Sequence, residues 1–203
     1  MGVPAYDVVP ANSVPFADLQ EVFGPRGPAS YCQCQRYKLA RGEAFGRFPP
    51  EERAARLRDQ TSCGDPGAGS TSGLVAYLGE RPVGWCAVEP RPAYGGLVRN
   101  NRVPWEGRDE DKADDSVWAI TCLFARAGHR KQGVGRALAL AAVEHARASG
   151  ARAVEAYPMT VGSAISEELH VGTVSVYADA GLVELGRPTQ RRAVMRLDFG
   201  PTV

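Results

Sequence analysis

The chain has 203 residues, 44% apolar and 23% charged, which is enough to bury a real core and leads us to read residues 1–203 as one domain. A formal net charge of +1 leaves no global basic field of the kind that drives nonspecific nucleic-acid binding. No apolar run reaches transmembrane length or follows a charged start like a signal peptide, and the five cysteines are odd in number and scattered, so the expectation is a reducing cytoplasm and no membrane partner.

Tyr6 to Val9 reads as a first strand, and Pro10, Asn12 and Ser13 supply a turn before a helix from Val14 to Phe23. The run Gly24-Pro25-Arg26-Gly27-Pro28 stops that helix. A second helix is predicted over Pro50 to Arg58, where acids lead and bases follow in keeping with the helix dipole. Gly64 to Gly73 is a loop. Gly73 to Leu78 and Val83 to Val88 form a hairpin about a tight connection. The polar stretch from Tyr94 to Asp115, interrupted by Pro104 and Gly107, reads as a surface insertion. A fourth strand, Trp118 to Ala125, leads to a helix from Val134 to Ser149, stopped by Gly150, and then to a fifth strand, Ala153 to Tyr157, ended by Pro158. Val134, Leu138, Ala141 and Ala142 give that helix one apolar face to lay on a sheet. A last helix near Thr173 to Ala180 precedes two closing strands, Val183 to Leu185 and Arg192 to Leu197.

Between the fourth strand and its helix stands Arg130-Lys131-Gln132-Gly133-Val134-Gly135. An extended segment turning through glycines into a helix start points several unpaired N–H groups at one spot, with the positive end of the helix dipole behind them. That spot suits a phosphate, and Arg130, Lys131 and Arg136 add charge. The pattern is not a GxxxxGK[ST] loop, since no Lys-Ser/Thr follows Gly135. Nor is it a dinucleotide fingerprint: Glu155 lies near the expected distance for an acidic partner, but the third glycine is missing.

Arg130-x-x-Gly133-x-Gly135 after a fourth strand resembles the signature of the GNAT superfamily of acyl-CoA-dependent N-acyltransferases, and the order of elements along most of the chain is similar to that fold. The resemblance implies an α/β protein with a central mixed, mostly antiparallel sheet flanked by helices. It implies acetyl-CoA as cosubstrate and no metal. The amides of residues 131–136 (Lys131, Gln132, Gly133, Val134, Gly135, Arg136), with Arg130, would hold the pyrophosphate, and Leu123, Phe124 and Ala125 would pair with pantetheine. Dimers are frequent in the family, so a homodimer is a family-level expectation.

Val174 to Leu182 carries a second resemblance: Tyr177, four residues before Gly181-Leu182, stands where the family often keeps a tyrosine that protonates the leaving thiolate. A phenol is protonated at neutral pH and can pass its proton to a thiolate of comparable basicity. The helix departs from the commoner pattern, with His170 and Thr173 where Asn and Ala usually stand. His170 either replaces the Asn as a donor, titrates as a base, or is an exposed helix-entry residue.

Acyl transfer to an ammonium needs a base, and Glu155, set among Val154, Ala156 and Tyr157 on the fifth strand, is the candidate, with an Arg-held core carboxylate as the alternative. Cys122, beside the expected thioester, invites an acyl-cysteine route, which direct transfer in the family disfavours. Cys32 and Cys34 lack a companion pair at zinc spacing. Ser30 to Tyr37 sits where the acceptor pocket would be bordered. Trp85, Trp105 and Trp118 suit either pocket wall or core. The acceptor expected is a small-molecule amine, with a protein N-terminus or lysine, an aminoacyl-tRNA-dependent reaction, or a noncatalytic CoA-binding module as the rivals.

Overall fold

A computed structural model describes residues 5–100, 102–160 and 168–200. Seven strands form one sheet in the order β1-β2-β3-β4-β5-β7-β6, where β1 is Asp7–Pro10, β2 Gly73–Leu78, β3 Arg81–Pro90, β4 Val117–Ala125, β5 Ala153–Ala156, β6 Val183–Thr189 and β7 Arg192–Asp198. Every neighbouring pair is antiparallel except β4 and β5, which are joined by a crossover through helix α5 (Val134–Ala148). The remaining helices are α1 (Phe16–Phe23), α2 (Pro28–Cys32), α3 (Pro50–Thr61), α4 (Gly95–Asn100) and α6 (Val174–Asp179), with α5 and α6 numbered in chain order after these.

The strands bury alternate residues on two faces, as a covered sheet requires. On one face α5 places Val134, Leu138, Ala142, Val143 and Ala146 over Leu74, Cys86, Ile120 and Val154. On the other, Leu19, Val22 and Phe23 of α1 and Leu57 of α3 cover Val75, Trp85 and Cys122. The contact with α5 is close: a methyl group added at Gly84 would lie 2.5 Å from a Val134 methyl.

The stretch from 94 to 115 differs from a purely surface insertion. Tyr94 and Leu97 are buried against Ala119, Tyr157 and Val194, and Trp105 lies between Arg91 and Lys112. The polar character that reads as loop in the sequence is consumed by ion pairs: Arg108 and Glu110 reach Glu155, Arg91 and Arg196. Asn101 within it lies outside the described residues.

Candidate active site

β4 and β5 pair only from Val117/Ala153 to Ile120/Ala156. Two features end the pairing. On the β3 side the register passes from Val88↔Ile120 to Ala87↔Cys122, so Thr121 is an extra residue that bends β4. After β5 comes Pro158, which has no N–H to give a ladder, and Met159 beyond it bridges Thr173 and Arg192 instead of β4. The β5-facing edge of β4 past Ile120 therefore has no described strand beside it. The gap opens into a cleft of about 1520 Å³, lined by the end of β4, the turn before α5, the start of α6, the β6–β7 turn and the segment around α2. Ordinary small-ligand pockets span roughly 300–1,000 Å³, so this one has room for a long ligand and a second molecule.

The turn before α5 passes through left-handed backbone twice. Gly133 is the N-cap residue at φ +96°, and Lys131 at φ +60° is also left-handed, so the backbone alternates in the way that gathers N–H groups into an anion-binding hollow. Ala137 makes the first intrahelical bond, to the Gly133 carbonyl at 3.1 Å, which leaves the amides of Val134, Gly135 and Arg136 without helical partners. Among the described residues no side chain caps this end. Nine of the ten residues expected to hold the cofactor line the cleft: Leu123, Phe124, Ala125, Arg130, Lys131, Gly133, Val134, Gly135 and Arg136. Gln132 is absent from the lining because its amide turns back to the Gly128 carbonyl at 3.1 Å, while its own carbonyl accepts from Tyr6 at 2.8 Å. It braces the turn from behind.

Tyr177 is fully buried, and its hydroxyl donates to the Val171 carbonyl at 3.0 Å. Between it and the cleft stands Gly172, a lining residue at φ +77°. A Cβ there would come within 2.9 Å of the phenol oxygen, so Gly172 alone separates the hydroxyl from that wall, and Tyr177 itself is not a lining residue. Burial pushes the phenol well above its ordinary value, which keeps it protonated. His170 lines the same wall, its ring 6.4 Å from that of Tyr37. Cys122 and Cys34 also line the cleft; a hydrogen bond between them and burial push the Cys122 thiol well above its ordinary value, a poor state for a nucleophile.

Glu155 does not reach the cleft. Its side chain has no exposure, and its carboxylate accepts from Tyr157 at 2.8 Å, Arg196 at 2.9 Å, Arg91 at 3.4 Å and Arg108. The amides near α2 are also spent internally. Gln33 pairs with Gln20 at 2.9 Å and Gln35 with Gln60 at 2.8 Å, leaving Tyr31, Cys32, Cys34, Arg36 and Tyr37 to form the wall. Trp85 and Trp105 are core residues; the Trp85 indole donates to the Cys34 sulfur at 3.0 Å. Trp118 packs edge-on to His145. Among the described residues no group of three or more His, Cys, Asp or Glu side chains is placed to hold a metal ion.

The family model described as acetyltransferase (GNAT) family matches residues 35–170, more than half of the chain. The chain belongs to the GNAT acetyltransferase family. Solved structures agree on the fold. A GNAT-family acetyltransferase from Streptococcus pneumoniae is 17% identical with a TM-score of 0.53, over 97% of this chain and 100% of that one. The protein yncA from Salmonella typhimurium, solved with its cofactor acetyl-CoA, is 14% identical with a TM-score of 0.54, over 98% and 96%. An N-acetyltransferase from Staphylococcus aureus Mu50 is 12% identical with a TM-score of 0.53, over 96% and 98%. A search of curated proteins finds no match. As a GNAT acetyltransferase the chain is an acetyl-transferring enzyme. Two parts of its site escape sequence reasoning. The bulge at Thr121 has no local signal, since it is defined by register against β3. Gly172 is visible as a glycine, but its role depends on Tyr177 lying behind it.

Proposed function

We propose that this enzyme transfers the acetyl group of acetyl-CoA directly to a primary amine of a small molecule, within a ternary complex, and that residues 1–203 form one domain for that task. The supporting observation is that the parted strands and the uncapped helix start open into the same cleft. The amides of residues 131–136, with Arg130, hold the pyrophosphate. The free edge of β4 at Leu123, Phe124 and Ala125 pairs with the pantetheine arm. Gly135 fits this role: an added Cβ would lie 3.1 Å from a Leu123 methyl, so a side chain there would push on the strand residue that is to meet the arm. The donor supplies an activated thioester; the protein's task is to orient it and to manage two protons.

Tyr177 gives a proton to the departing sulfur across Gly172. Its burial holds it as the acid, and for the transfer the hydroxyl turns its proton from the Val171 carbonyl, which accepts it in the free enzyme, toward the sulfur. The base is His170. It lines the cleft on the wall that carries Gly172, whereas Glu155 is enclosed by three guanidinium groups and serves the sheet. The five free cysteines accord with work in a reducing cytoplasm.

Calorimetric titration with acetyl-CoA tests the donor, run beside a variant carrying Gly133→Glu and Gly135→Glu. Binding by the native chain alone, followed by thiol release with an amine panel, supports the reading. No binding by either sinks it.

A further inference from the structure

The end of the cleft away from the phosphate turn carries cations that the donor does not need. Helix α6 serves as a ruler. At its C-terminal end Asp179 pairs with Arg136 of the phosphate turn. At its N-terminal end Thr173 bridges Met159, and Met159 bridges Arg192. Six residues of helix separate the two, roughly 9 Å. Arg192 is thus at the acceptor end, close enough to Tyr177 for its charge to act on the phenol.

Arg192 is half-buried, and its Nε donates to the Tyr157 carbonyl at 3.1 Å, but its Nη2 is buried and finds no hydrogen-bond partner among the described residues. An unpaired guanidinium nitrogen in such a place is costly and calls for a functional reason. Arg36 joins it from the α2 side of the cleft, its guanidinium 4.8 Å over the Phe45 ring, beside the Tyr37 that faces His170. Against these charges the described lining offers two carboxylates, Glu168 and Asp179, each already in an ion pair, with Arg191 and Arg136 respectively. The acceptor end is therefore poorly made for a second ammonium and well made for an anion.

From this we infer that the acceptor is an amine that also carries a carboxylate, held by Arg192 with Arg36 across the cleft. The inference rests on the acetyl-CoA reading of the cleft. A planar guanidinium fork matches a carboxylate, and Arg192 lines the cleft where one would sit. Selectivity follows: an acceptor lacking the carboxylate leaves Arg192 unpaired in the complex, which costs more than a lost contact in water.

The test uses the full chain saturated with CoA for calorimetry and with acetyl-CoA for thiol release. The panel is the free α-amino acids, β-alanine and 4-aminobutyrate, each beside its carboxamide, with spermidine as the cationic control. A hydrogen bond to a charged group corresponds to about 10- to 100-fold in affinity. The expected result is that at least one carboxylate exceeds its carboxamide by that factor in kcat/KM, chiefly through KM. Arg192→Gln should erase the preference while binding acetyl-CoA as before, and Arg192→Lys should keep part of it. Equal or better use of carboxamides or spermidine overturns the inference, as does a preference that survives in Arg192→Gln. If acetyl-CoA binds and no panel member binds or reacts, the inference falls and the donor reading stands. If acetyl-CoA itself does not bind, the donor reading fails and takes the inference with it.

Discussion

Replacing Glu155 by Gln separates two jobs that a carboxylate on β5 could have. In the structure the group has no exposure and answers Arg91, Arg108 and Arg196 at once, with the Tyr157 hydroxyl as a fourth donor. Gln keeps the shape but removes the charge, and it turns an NH₂ toward guanidinium groups that only donate. Breaking a buried ion pair by changing one partner costs about 3–5 kcal/mol, because the opposing charge stays behind without compensation. Glu110 still faces all three arginines and Asp198 faces Arg196, so the lower end, about 3 kcal/mol, is the expected loss. For a chain of this length each kcal/mol moves the melting temperature by about 2–4 °C, giving a fall of about 6–12 °C. Thermal unfolding measures that directly, and the pH–rate profile of the folded variant is taken at a temperature well below its transition. The expectation is a less stable enzyme with kcat and both limbs of the profile retained. A variant as stable as the native chain but lacking kcat and the limb assigned to the base would refute the reasoning and return the base to Glu155.

Tyr177→Phe should lower kcat about 100-fold or more while leaving the affinity for acetyl-CoA unchanged by calorimetry; unchanged turnover would remove the phenol from the mechanism. Gly172→Ala combines a left-handed φ of +77° with a Cβ 2.7 Å from the Tyr177 ring. It should cost about 2–4 kcal/mol in urea unfolding and reduce kcat in the fraction that folds. Gly84→Ala places a methyl 2.5 Å from Val134 and 2.9 Å from Leu138, so it should cost about 1–3 kcal/mol and weaken acetyl-CoA binding by shifting the start of α5. Burial opposes the ionisation of Glu110, but hydrogen bonds from Arg108 and Arg91 outweigh it and hold the carboxyl at about 2, below its ordinary 4.5. The unfolded chain binds the more protons in that window, so this stabilisation is present above about pH 4.5 and drains as pH falls toward about 2. Urea midpoints taken from about pH 6 to about pH 3 should fall less steeply for Glu110→Gln than for the native chain.

Much of this arrangement is legible in the chain because it is local. The helix from Val134 needs only its apolar spacing and the glycines before it, and the hairpin of β2 and β3 needs two β-rich runs and a tight turn. What is hidden depends on register or on partners distant in sequence. Glu155 reads equally as a desolvated base or a held carboxylate until Arg91, Arg108 and Arg196, which come from three separate segments, are seen around it. Gln33 and Gln35 read as pocket groups until Gln20 and Gln60 are found opposite them. The stretch from 94 to 115 reads as polar surface for the same reason, since ion pairs bury charges that composition assigns to solvent. Short α2 and α4, of five and six residues, fall below the length at which periodicity gives a signal.

The position of the Glu155 cluster bears on how the cleft exists at all. A parallel pair of strands left open at one end is a weak point: its free edge tends to zip closed or to fray along its whole length. Here Glu155 lies within the paired half, opposite Ala119 on β4 and Arg196 on β7, and Arg91 ties in the segment that follows β3. The fastening is immediately below the point where Thr121 bulges and the strands part. Charge pairing thus ties β5 and β7 to the segments after β3 at one end, beside the β4 pairing, while Pro158 and Met159 lead the chain away at the other. If that is the division of labour, loosening the clamp should reach the cleft as well as the core. The decisive comparison is acetyl-CoA affinity in Glu155→Gln and Arg196→Gln against a stability-matched core variant such as Val143→Ala. A larger loss of affinity in the clamp variants than in the core variant would show that the cluster holds the opening in shape, and equal losses would reduce it to general stability.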